Sequence, residues 1–112
     1  MSINNLHWSP AEKKIARRAF DQALNSTLAR VMAEFKARAN AATTPLEMWD
    51  IEDYLRQQRR EIDATFDYRY SQLILVFARL INDGYLDEAL LAGLSEEKRE
   101  LIRSFLASAA QG

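Results

Sequence analysis

Trp49 opens a segment in which acids and bases alternate densely: Glu52, Asp53, Arg56, Arg59, Arg60, Glu61 and Asp63. With Met48 as origin and roughly 100° per residue, Met48, Ile51, Leu55, Ile62 and Phe66 gather on one apolar line. Trp49 then points about 100° away, among Asp53, Arg56 and Arg60, with Glu52, Arg59 and Asp63 in between. The chemistry open to such a face is recognition rather than bond making. Tryptophan and arginine each bury a large area while keeping directional hydrogen bonds or charge. A plainer reading stays open: Trp49 covers a neighbouring helix, and Glu52 with Arg56 and Arg59 with Asp63 form local pairs one turn apart.

Catalysis would need a nucleophile with its base, a tuned acid and base, a metal or a cofactor, and little of this is present. His7 is the single histidine, there is no cysteine, and the three glycines at 84, 93 and 112 stand alone. A di-iron helix-bundle site needs Glu-x-x-His twice, a cysteine-type zinc site needs thiolates, and a phosphate loop needs clustered glycines. We therefore expect no enzyme activity, no metal and no cofactor. Phe66-Asp67-Tyr68-Arg69-Tyr70 could form a base-stacking platform. Phe66 and Tyr70, however, share the line to Leu73 and Phe77, which reads them as core and leaves Tyr68 and Arg69 outward. Acids surround the basic run Arg56 to Arg60, and the formal net charge is −1, so nucleic acid is not expected as a partner.

The elements that must position this face are helical. At 112 residues the chain suits one domain, and only three Gly and two Pro interrupt it. Trp8-Ser9-Pro10-Ala11-Glu12 reads as a helix start, with Ser9 capping, Pro10 in the first turn and Glu12 closing a capping box. Ala16, Phe20, Ala23, Leu24, Leu28, Val31 and Phe35 then recur at helical spacing as far as Asn40. Thr44-Pro45-Leu46-Glu47 repeats the start signal for a second helix folding back on the first. A third run through Leu73, Ile74, Phe77 and Leu80 stops at Asn82-Asp83-Gly84. A short turn around Glu88 to Leu91 and a last helix carrying Leu101, Ile102 and Phe105 complete an all-α chain. His7 is placed in a fraying tail. The first helix, at about 1.5 Å per residue, overhangs a domain of this size, and cover by a second copy is the expected solution. Nothing in the sequence reads as a signal or membrane-spanning segment, so a cytoplasmic location is expected.

Met48-Trp49-Asp50-Ile51-Glu52-Asp53-Tyr54-Leu55, then Arg59, Glu61-Ile62-Asp63 and Asp67-Tyr68-Arg69-Tyr70-Ser71, resemble the central block of the cyanobacterial fluorescence recovery protein family. Trp8 to Glu12, Leu75 to Ala78 and Leu90 to Leu94 are similar too, so the likeness spans nearly the whole chain. It implies a homodimer of long helical hairpins, about residues 9–66, with helical heads, about 67–112. It also implies a non-enzymatic regulator that binds the photoactivated orange carotenoid protein, mainly through that protein's C-terminal domain. Binding would speed the return to the orange resting state and end photoprotective quenching. The family's functional surface carries a Trp, a His, an Asp and an Arg on the second helix. Trp49, Asp53 and Arg59 match three of these, Glu52 stands where the family has histidine, and Gln58 occupies an adjacent, usually basic position. The expected partner-binding residues are thus Trp49, Glu52, Asp53, Arg59 and Arg60, and the expected dimer seam is Met48, Ile51, Leu55 and Ile62. The alternative is the same dimeric scaffold as an adaptor for a different protein client in a non-photosynthetic bacterium.

Overall fold

The two start signals act as written in the computed structural model, which describes residues 5–111. Ser9 caps α1 (Pro10–Ala41): its Oγ accepts from the Glu12 N–H at 3.1 Å, and the Glu12 carboxylate accepts from the Ser9 N–H at 3.0 Å. Thr44 caps α2 (Pro45–Thr65), its Oγ1 accepting from the Glu47 N–H at 3.2 Å, while the Glu47 carboxylate accepts from the Thr44 hydroxyl at 3.0 Å. α3 (Leu73–Asn82), a 3₁₀ turn (Glu88–Leu91) and α4 (Glu96–Gln111) follow, with no strand among the described residues. α3 ends as its sequence demands. Gly84 takes φ +82° and its N–H donates to the Ile81 carbonyl, while the Tyr85 N–H reaches back to Leu80 at 2.9 Å, the left-handed stop that glycine adopts without a steric penalty.

α2 ends earlier than its apolar line suggests. Phe66 is its cap, and residues 66–72 cross to α3 without helical structure. That break reverses two expected orientations. Tyr68 turns inward, its ring 4.9 Å from Phe20, whereas Tyr70 stays exposed. A helical line cannot place residues once the helix has ended.

The buried side chains gather at one end of the molecule. Phe77, Leu73, Ile74 and Leu80 of α3, Leu91 of the turn and Ile102 of α4 are sealed, and Ala16, Ala19, Phe20 and Ala23 of α1 close the same core. α1 therefore belongs to this head for its first half and extends beyond it for its second. The molecule measures 54 × 30 × 21 Å with a radius of gyration of 16.9 Å, against about 13 Å for a compact domain of 100 residues.

A buried ion pair fastens the head. The Glu12 carboxylate accepts from the Ser9 and Ser95 N–H groups and lies 3.2 Å from Lys98 Nζ, which also donates to the His7 carbonyl at 2.5 Å. Burial by itself raises this carboxyl, but the Ser9, Ser95 and Lys98 donors outweigh burial and hold it at about 2. Trp8 is buried over Lys98, its ring 5.0 Å from the ammonium. His7 is thus tied down through its backbone rather than frayed, while its side chain stays exposed.

Candidate protein-docking face

The apolar positions of α1 change direction along the helix. Glu12, Ala16, Ala19, Phe20, Ala23 and Thr27 are buried toward the head. Leu24, Leu28, Val31, Met32 and Phe35 centre roughly 110° around the helix from that set. Beyond the head this second stripe meets little of its own chain, for Met32 is 58% exposed and Leu28 46%.

α2 lies against the stripe without burying a single residue. Ile51, Leu55 and Ile62 are half-buried toward α1, and Arg38 stacks on Tyr54 at 4.0 Å. Between the helices runs an open groove of about 390 Å³ lined by Leu24, Leu28, Val31, Leu55 and Ile62, with Gln58, Arg59 and Asp63 on it. Met48, expected in the apolar line, is 51% exposed at its edge. Of the four residues read as a seam, three thus face α1 and Met48 is open.

The residues read as partner-binding fall into two groups. Arg59 lines the groove beside Asp63. Trp49, 59% exposed, lies with Asp53 and Arg60 on the side of α2 turned away from α1, by helical geometry. Asp53 and Arg60 sit two turns apart, about 10 Å along the axis. Glu52, between the groups, is paired with Arg56 one turn on. The second local pair anticipated from the sequence, Arg59 with Asp63, is not formed. Among the described residues Asp53, Arg59 and Arg60 take part in no ion pair. A Trp beside unspent charges of both signs offers an anchor and directional pairing to another protein. Among the described residues no three His, Cys, Asp or Glu are grouped as metal ligands.

Sequence reasoning missed a second polar region, on the head. Trp8, Tyr70, Tyr68, Phe20 and Phe66 form a run of rings with successive centroids 4.9–5.7 Å apart. Lys13 stands over Tyr70 at 5.3 Å and Arg17 over Tyr68 at 4.6 Å. Burial, with the neighbouring Tyr70, pushes the Tyr68 phenol up to about 12. The run Lys13, Lys14, Arg17, Arg18 was a visible signal, but its aromatic counterparts lie more than fifty residues away.

Fold and face together define a class: an all-helical protein with a charged, exposed helix face beside an uncovered apolar groove. A family described as photoprotection regulator fluorescence recovery protein matches residues 8–106, and the chain belongs to that family. It is 33% identical over 97 residues to the fluorescence recovery protein of Synechocystis sp. (strain ATCC 27184 / PCC 6803 / Kazusa), covering 87% of this chain and 89% of the relative. The solved fluorescence recovery protein of Fremyella diplosiphon is 32% identical, with TM-score 0.85 over 91% of this chain and 99% of that one. The Synechocystis structure is also 32% identical, with TM-score 0.86 over 90% and 99%. No described helix is long and apolar enough to cross a membrane.

Proposed function

We propose that two copies of this chain pair along α1 and α2, and that the dimer binds photoactivated orange carotenoid protein and speeds its return to the orange resting state. Membership in a family of photoprotection regulators supports the role. One observation carries the mode of action: an uncovered apolar groove adjoins a face whose Trp49, Asp53, Arg59 and Arg60 have their charges and ring available. Met48, Ile51, Leu55 and Ile62 would line the seam with Leu28, Met32 and Phe35, leaving Trp49, Asp53 and Arg60 outside it. Residues 9–66 would supply the pairing hairpin and residues 67–112, with the start of α1, the heads. A binder speeds such a return only through differential affinity, holding the client in conformations that lead to the closed state. The regulator reads its client in the reducing cytoplasm and performs no bond chemistry.

The Glu52–Arg56 pair favours a second reading, a dimeric adaptor with another client. Glu52 is an anion already matched within its own helix, which leaves the face a different donor set from one carrying a histidine there.

Dark recovery of purified, photoactivated orange carotenoid protein, with and without this chain, tests the proposal. Acceleration is expected, with loss in Asp53→Ala and Arg59→Ala, since removing one partner of a desolvated interfacial charge pair costs about 2–5 kcal/mol. No acceleration at several molar equivalents would leave the second reading.

A further inference from the structure

The seam and the α2 face leave one feature unused: the cations along the first turns of α1. Lys13, Lys14, Arg17 and Arg18 are all exposed, and Arg69 is exposed on the 66–72 crossing. Among the described residues the acids paired with them are Asp21, 3.3 Å from Arg17, and Asp67, held below the usual carboxylate range by its bonds to Arg69. Lys13, Lys14 and Arg18 have no ion-pair partner among the described residues. Five cations against two paired acids make this a basic patch on a chain whose net charge is −1.

Two of these cations are held against aromatic rings. In the stem, Arg56 is paired with Glu52, and Arg38, stacked on Tyr54, is paired with Glu34 at 2.8 Å. Lys13, with no ion-pair partner among the described residues, rests on the ring of Tyr70, and Arg17, paired with Asp21, rests on that of Tyr68. A cation on a ring face keeps its full charge while its rotamers are restricted. The result is positive charge preorganised at low further entropic cost, with the half-exposed Tyr70 ring beside it.

We infer that this face of the head is a docking surface for an acidic segment of a partner protein, independent of the α2 face. Carboxylates of the segment would meet Lys13, Lys14, Arg17 and Arg18, and a side chain of the segment would pack on Tyr70. A protein segment is favoured over a polyanion by the shape of the charge. The α1 cations span about 8 Å of helix, and Asp21 and Asp67 break them up. A phosphate backbone or anionic bilayer would meet those carboxylates at every register, whereas a folded protein can avoid or pair them.

The test uses the full chain and three fluorescent probes: a 12-residue Glu/Asp-rich peptide containing one Leu, a single-stranded oligonucleotide of equal charge, and phosphatidylglycerol vesicles. Anisotropy, or co-sedimentation for the vesicles, is read at two salt concentrations. The peptide is expected to bind best, with affinity falling on added salt and by about tenfold or more in Lys13→Glu and Lys14→Glu. Lys36→Glu, which makes the same charge change on the stem, should have little effect. Tyr70→Ala should weaken binding without altering its salt dependence. Because Lys14 stacks on no ring, its variant separates lost docking from lost folding, and melting curves check both. Failure of the peptide to bind, tighter binding of oligonucleotide or vesicles, or an equal loss in Lys36→Glu would overturn the inference. Asp53→Ala should leave peptide binding intact, so this result stands or falls apart from the α2 face.

Discussion

The head and the stem of this molecule are built from the same kind of helix and held by different means. In the head, α3 is apolar nearly all round and is enclosed by α1, α4 and the 3₁₀ turn, with Phe77, Leu73 and Leu80 fully buried. In the stem, α2 buries nothing completely, and the second half of α1 exposes Leu28, Met32 and Phe35. A sealed aliphatic or aromatic side chain contributes about 1.5–3 kcal/mol, so the head carries its own stability. The stem has the same apolar residues without cover.

The largest effect should come from the head's centre. Phe77→Ala should lower stability by about 3–5 kcal/mol, and by the same amount at every protein concentration, as read by denaturant titration. Close behind, Lys98→Met removes the cation paired with buried Glu12 and should cost a few kcal/mol, since a buried carboxylate loses its partner. A pH series follows from the same pair. Glu12 is depressed from 4.5 to about 2, so its contribution, about 3 kcal/mol, is complete above pH 4.5 and fades as pH falls toward 2. Glu12→Gln should flatten that acid limb.

The stem should answer differently. Met48→Glu, which puts a carboxylate at the edge of the apolar groove, should give particles at the chain mass of 12.9 kDa by light scattering, while the head's melting transition stays in place. The unaltered protein should scatter at twice that mass. Smallest of all, Arg38→Ala and Asp53→Asn should shift stability by under about 1 kcal/mol, because exposed pairs and single exposed charges contribute little.

What could be read in advance divides between local geometry and contacts across the chain. Local signals survived: Ser9 with Glu12, Thr44 with Pro45 and Glu47, and Gly84 each concern groups within a few residues, where backbone geometry is decisive. The exposure pattern of α2 was legible too, because a regular helix lets spacing alone sort exposed Trp49 and Asp53 from half-buried Ile51 and Leu55. Contacts between distant segments were not. Lys98 reaches Glu12 and the His7 carbonyl across more than eighty residues, and no periodicity marks a lysine as buried. Trp8 was read only as part of a cap region, yet it covers that pair. Tyr68 was assigned outward because the helical line was carried past Phe66, where the helix stops. The α1 stripe was read as one line, although its two halves face different neighbours.

Amide hydrogen exchange, measured on the unaltered protein at high and at strongly diluted concentration, tests most directly whether the stem depends on a second copy while the head does not. Amides of α3, α4 and residues 16–23 should keep the same protection throughout, whereas those of residues 28–41 and 45–62 should lose protection together on dilution and in Met48→Glu. Equal protection of head and stem in particles of the single-chain mass would contradict the account.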